Sequence, residues 1–124
     1  MNEALLEQAM EKLSSSIPDG NSVLISSKSG DLIAYTGHIV DGELSRIAVQ
    51  ISTVLGVATS IGASLKLGTS NELNFSGPKG RVFVYRLTDS YCLAVITAHD
   101  CNMAMINLMA ARCIEEVTQQ EMLA

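Results

Sequence analysis

Between Arg81 and Thr97 the chain carries two near-continuous apolar runs, Arg81-Val82-Phe83-Val84-Tyr85-Arg86-Leu87 and Tyr91-Cys92-Leu93-Ala94-Val95-Ile96-Thr97. Only Thr88-Asp89-Ser90 separates them. A strand with one wet face alternates polar and apolar residues, whereas a strand that does not alternate is covered on both faces. The two runs therefore predict neighbouring antiparallel strands in the middle of a sheet. They also oblige the rest of the chain to cover both faces of that sheet.

The remaining segments supply those parts. Ser22-Val23-Leu24-Ile25-Ser26-Ser27 and Leu32-Ile33-Ala34-Tyr35-Thr36 are β-prone runs joined through Lys28-Ser29-Gly30-Asp31, which predicts a tight hairpin. Glu72-Leu73-Asn74-Phe75-Ser76 alternates as a half-exposed strand does, and Gly77-Pro78-Lys79-Gly80 turns it into the first apolar run. Leu5, Leu6, Ala9, Met10 and Leu13 recur at helical spacing before the breakers Ile17-Pro18-Asp19-Gly20-Asn21. A last helix, with Asp100 as its predicted cap, puts Met103, Ile106, Met109, Ala110, Cys113, Ile114 and Val117 on one side. Between hairpin and meander a long helix is predicted from about Glu43 to about Lys66, capped by Asp41 and ended by Gly68, Thr69 and Ser70. The most apolar strands, 22–27 and 91–97, are the best neighbours, which leaves 72–76 at an open edge.

Composition narrows the function. The chain has 124 residues, the size of one domain, so residues 1–124 are read as a single unit. With 48% hydrophobic and 17% charged residues it has the means to bury a core, which excludes disorder. A net charge of -5, with eight scattered Lys and Arg, disfavours nucleic acid and anionic membrane surfaces as partners. The apolar stretches are interrupted by Ser, Thr, Gly or a charge short of membrane-spanning length, so no membrane insertion is expected. Three cysteines make an odd number, and Met1-Asn2-Glu3-Ala4-Leu5-Leu6-Glu7 is acidic where a secretory signal is basic. A cytoplasmic location with reduced thiols is expected.

The long helix carries two stripes. At 100° per residue Leu44, Ile47, Ile51, Val54, Leu55, Ala58, Ile61 and Leu65 fall in one broad sector, predicted to face the sheet. Beside it runs a narrow stripe of small residues, Ser52, Gly56, Thr59 and Ala63. A glycine inside a helix costs about 0.8–1 kcal/mol relative to alanine, and close approach of a second backbone offsets such a cost. The alternative is a close fit over the sheet or against a bulky neighbour. Leu73 and Phe75 line one face of the edge strand 72–76, which has neither Pro nor Lys to guard it. Ser52, Gly56, Thr59, Ala63, Leu73 and Phe75 are therefore the expected contacts of a two-fold dimer. Arg46, Gln50, Thr53, Val57, Ser60 and Ser64 form the opposite, wet side of the helix. Val57 is apolar where a solvated face should be polar, so this side is the expected partner-binding face.

The order of these elements resembles the Roadblock/dynein light-chain family. So do Ile17-Pro18-Asp19-Gly20 leading into Val23-Leu24-Ile25-Ser26, Ser29-Gly30-Asp31 before Leu32-Ile33-Ala34, and Gly80-Arg81-Val82-Phe83-Val84-Tyr85 before Leu93-Ala94-Val95-Ile96. The resemblance spans roughly Glu3 to Gln119 and rests on the order and spacing of degenerate motifs. It implies an α/β (α+β) fold: a five-stranded antiparallel sheet, the long helix on one face and the two terminal helices on the other. It further implies a homodimer formed through Glu72–Ser76 and the long helix. The function it implies is regulation of a small Ras-like GTPase, as activator or effector-type partner. Other members of the family are scaffold subunits or dynein light chains, and a non-catalytic adaptor is the alternative. A small-ligand sensor of profilin-like architecture is a third reading.

No residue set points to catalysis, a metal or a cofactor. Gly77-Pro78-Lys79-Gly80 lacks the Walker spacing and precedes a strand, so it reads as a hairpin turn. His99, Cys101 and Cys92 lack the paired spacing of a structural zinc site, and a nucleophilic cysteine needs a positioned base. Cys92 and Cys113 read as core, and His38 as a solvated side chain. An arginine finger acting in trans on a nucleotide would come from Arg46, Arg81 or Arg86; the last two read as solvated strand ends.

Overall fold

The computed structural model describes residues 3–18, 21–39 and 41–123. In chain order the elements are α1 (Glu3–Ser16), β1 (Ser22–Ser27), β2 (Leu32–Thr36), α2 (Asp41–Ser64), β3 (Glu72–Gly77), β4 (Gly80–Arg86), β5 (Tyr91–Thr97) and α3 (Met103–Leu123). The five strands form one antiparallel sheet in the order β2-β1-β5-β4-β3. The two apolar runs thus lie side by side in the interior, β1 flanks β5, and β3 stands at an edge. Gly30, at φ +99°, closes the first hairpin, and its amide donates to the Ser27 carbonyl at 2.9 Å. Only Pro78 and Lys79 separate β3 from β4, so the Gly77–Gly80 segment is a hairpin turn.

Successive side chains of the central strands go to opposite cores, which is why those strands do not alternate in sequence. On one face Val23, Ile25, Phe83, Tyr85, Leu93 and Val95 meet Leu6, Met10 and Leu13 of α1 and Ile106, Ala110 and Val117 of α3. On the other, Leu24, Val84, Cys92 and Ala94 meet Leu44, Ile51 and Leu55 of α2. Each large side chain so buried contributes about 1.5–3 kcal/mol. Ser26 is fully buried, and its hydroxyl lies 3.0 Å from that of Ser52, whereas the buried Nε of Arg81 has no hydrogen-bond partner among the described residues.

Four expectations are corrected. The cap of α3 is Asn102, whose Oδ1 accepts from the Met105 amide at 3.1 Å, so Asp100 lies outside the helix end. Of the residues expected on the inner side of α3, Met103, the first residue of the helix, is exposed. By length and composition Gly42–Ser64 is sufficient to cross a membrane, whereas the sequence pattern has Ser, Thr and Gly interrupting the run. The hydroxyls of Thr53 and Thr59 donate to the carbonyls of Val49 and Leu55 one turn back, at 2.7 and 2.8 Å, so they do not break the helix. Finally, the inner stripe of α2 is covered only in part: Ile61 and Leu65 extend past the sheet and are exposed. The breakers Asp19 and Gly20 lie outside the described residues, as does the side chain of the predicted cap Asp41.

Candidate protein-interaction surface

The helix α2 crosses its sheet face so that its two flanks look toward opposite ends of the strands. One flank carries the small stripe. Ser52 donates to the Ser27 carbonyl at 2.7 Å, at the end of β1, and Thr59 accepts from Arg86 Nη2 at 2.6 Å, at the end of β4. A cleft of about 310 Å³ opens there, lined by Ser52, Gly56, Thr59, Arg86, Tyr91 and Cys92 among others. A Cβ built on Gly56 would find nothing within 4 Å, and Ala63 is exposed. No neighbour among the described residues therefore explains Gly56.

The other flank looks toward the far end of the strands. Val84 and Val82 follow Arg86 along the α2 face of β4, two residues apart, and β3 places Leu73 opposite Val84 and Phe75 opposite Val82. Val54, Leu73 and Val82 are half-buried against the α2 core. Other large apolar side chains are open on α2, on the connection that follows it and on β3: Ile61 is 54% exposed, Leu65 63%, Leu67 74% and Phe75 49%. Among the described residues the sheet ends at β3, and no strand lies beside its outer edge. The structure thus separates the six residues grouped by sequence. Ser52 and Thr59 are engaged at the Arg86 end of the strands, whereas Leu73 and Phe75 follow Val84 and Val82 away from that end. Periodicity missed Ile61, Leu65 and Leu67, because it assigns a side of a helix and not the length over which the sheet covers it.

Arg46, Gln50, Thr53, Val57, Ser60 and Ser64 are all exposed along the outer side of α2. Arg46 forms an ion pair with Glu43 one turn earlier. Arg86 is not a solvated strand end. It is half-buried beneath α2, where Nε donates to the Ser70 carbonyl at 3.2 Å and Nη2 donates to Thr59. Arg81 is also half-buried, with its Nε shielded from solvent. The contacts of Arg86 deny it the free reach of a finger.

The thiols and imidazoles do not converge. Cys92, the second residue of β5, faces α2, whereas His99 lies beyond the other end of that strand, roughly 20 Å away by strand rise, with Nδ1 at 3.0 Å from the Gly77 carbonyl oxygen. Among the described residues no three His, Cys, Asp or Glu side chains are grouped as metal ligands. Burial pushes the Cys92 thiol up and raises Cys113 from 9.0 to about 11, with Glu116 adding to the second shift. The Tyr85 phenol is raised too, first by burial and then by Glu72; it donates to Asn107 Oδ1 at 2.6 Å. These shifts favour neutral, inert groups, the reverse of an activated nucleophile.

A five-stranded antiparallel sheet with one long helix on one face and two terminal helices on the other defines the Roadblock/LC7 class of fold. Solved structures place the chain there. A Roadblock/LC7 domain from Streptomyces avermitilis superposes with a TM-score of 0.83 at 19% identity, covering 94% of this chain and 97% of that one. The gliding protein MglB from Thermus thermophilus superposes with a TM-score of 0.83 at 12% identity, over 98% and 92% of the two chains. Profilin II of Acanthamoeba castellanii is more distant, with a TM-score of 0.64 at 9% identity over 93% and 98%. No family model matches the sequence, and no curated protein matches it. The chain has the Roadblock/LC7 fold.

Proposed function

We propose that this chain is a cytoplasmic, homodimeric protein-binding module that regulates a small Ras-like GTPase and has no catalysis or cofactor of its own. The observation that carries the reading is the exposure of Ile61, Leu65, Leu67 and Phe75 on α2, its connection and β3, together with the outer edge of β3, which no strand of the described residues covers. Several large exposed apolar side chains and a free strand edge are liabilities for an isolated chain, and a two-fold axis at that edge would cover both. The dimer surface in this reading keeps Leu73 and Phe75 and takes Ile61, Leu65 and Leu67 in place of the small stripe.

The GTPase partner comes from the family resemblance, which the shared fold supports at the level of architecture. The outer side of α2, with Arg46, Gln50, Thr53, Val57 and Ser60, is the face offered to it. Members of the family that activate GTPases generally reposition the GTPase's own residues, so the resemblance implies that any effect on hydrolysis acts that way; the inward turn of Arg86 agrees with it. The test has two parts. Sedimentation at micromolar concentration reads a dimer, and a monomer refutes the self-association. Titration with a small Ras-like GTPase encoded beside this chain, in its GDP and GTP forms, reads binding and single-turnover hydrolysis. Binding with unchanged hydrolysis selects the scaffold alternative, and no binding to either form rejects the GTPase reading.

A further inference from the structure

Between the end of α2 at Ser64 and the start of β3 at Glu72 the chain turns back sharply. Lys66 and Gly68 take left-handed backbone angles, with φ of 58° and 90°. The Leu67 amide donates to the Gly62 carbonyl at 2.8 Å, and Ser70 Oγ donates to the Ala58 carbonyl at 2.9 Å. Gly62 makes this fit. A Cβ there would stand 2.7 Å from Ser70 Oγ and 3.2 Å from the Gly68 carbonyl oxygen. This close approach within the chain accounts for a glycine deep in the helix.

Arg86 fastens the arrangement from below. Its guanidinium reaches Thr59 on α2 and the Ser70 carbonyl in the connection, and its backbone amide donates to the Asn71 carbonyl at 2.8 Å. One residue at the end of β4 thereby joins α2, the connection and the entry to β3. These are the segments that carry Ile61, Leu65, Leu67 and Phe75.

We infer that Arg86 is a positioning residue which holds the α2–β3 connection, and with it Ile61, Leu65 and Leu67, in a preformed arrangement for a second copy of the chain that also meets Phe75. The inference rests on the dimer reading above. The planar fork matters here as well as the charge, because two separate acceptors are engaged from different nitrogens. Without the fork the connection samples other conformations, and association has to select the competent one. Apparent affinity falls by the competent fraction.

The experiment compares Arg86→Met and Arg86→Lys in two backgrounds. In the Phe75→Asp background, designed to be monomeric, hydrogen exchange is followed residue by residue. Both variants should speed exchange at Lys66 and Leu67 by about tenfold, with the β1–β5 amides unchanged. In the otherwise unmodified protein, sedimentation should show the dimer dissociation constant raised by about tenfold. Unchanged exchange in the connection overturns the inference, as does a uniform rise across the sheet, which marks a merely structural role. A loosened connection with an unaltered dissociation constant also overturns it. A fully monomeric unmodified protein removes the dimer reading itself, and exchange in the Phe75→Asp background still reports whether Arg86 fixes the connection.

Discussion

Replacing Phe75 by Asp tests the proposed surface most directly. Full burial of a phenylalanine side chain contributes about 1.5–3 kcal/mol, and Phe75 is still 49% exposed in the single chain. Covering the remainder in a dimer contributes about 1 kcal/mol per copy, or about 2 kcal/mol across a two-fold axis. An aspartate at the same place adds an unpaired carboxylate in an apolar contact, at a cost of about 1–3 kcal/mol per copy. The sum is about 4–8 kcal/mol, which moves a micromolar dissociation constant out of reach of ordinary concentrations. The single chain should tolerate the change, because Phe75 is on an edge strand and touches its core only in part. Sedimentation velocity over a concentration series, with circular dichroism as a check of folding, reads both. A folded Phe75→Asp variant that remains dimeric would refute the placement of the interface on this flank.

Three other perturbations follow from the same geometry. Gly56→Leu places its side chain in open space on the flank away from Phe75, so it should leave the dimer intact and raise thermal stability by about 0.8 kcal/mol through helix propensity; a monomeric variant would return the interface to the small stripe. Val57→Asp should weaken binding of the GTPase by about tenfold in calorimetry with the dimer unchanged, as expected for an exposed apolar contact within a polar rim, and full affinity would remove the outer face of α2 from consideration. The third concerns alkaline pH: the Cys113 thiol is raised to about 11 in the folded chain, so the unfolded chain loses its proton first. Its contribution is fully present below about pH 9 and is lost as pH rises toward 11, on the order of 2 kcal/mol; Cys92 and Tyr85 shift in the same direction. Urea denaturation at pH 7 and pH 10.5 should show the loss, partly relieved in Cys113→Ala; equal stability at the two pH values would contradict it.

The sequence by itself determined the architecture. The unbroken apolar runs at 81–87 and 91–97 demanded cover on both faces, and the chain held three helices with apolar sides to provide it. Pattern and turn chemistry also ordered the strands, because the two most apolar segments had to be interior and the alternating segment 72–76 had to be an edge. Local competition among capping groups was less legible: Asn102 caps α3 although Asp100 is the equally good residue two positions earlier. The candidate surface divided along the same line. Periodicity placed Arg46, Gln50, Thr53, Val57 and Ser60 on the wet side of α2, where they are. It could not tell that Ser52 and Thr59 are engaged by Ser27 and Arg86, or that Leu73 and Phe75 follow Val84 and Val82 away from the Arg86 end of the strands. Nor could it tell that the sheet stops short of Ile61 and Leu65. Periodicity is a property of one element and gives only an angle about its axis. Where the helix crosses the sheet, how far the sheet extends beneath it and which distant side chain reaches it are relations between elements, fixed only when the two cores close.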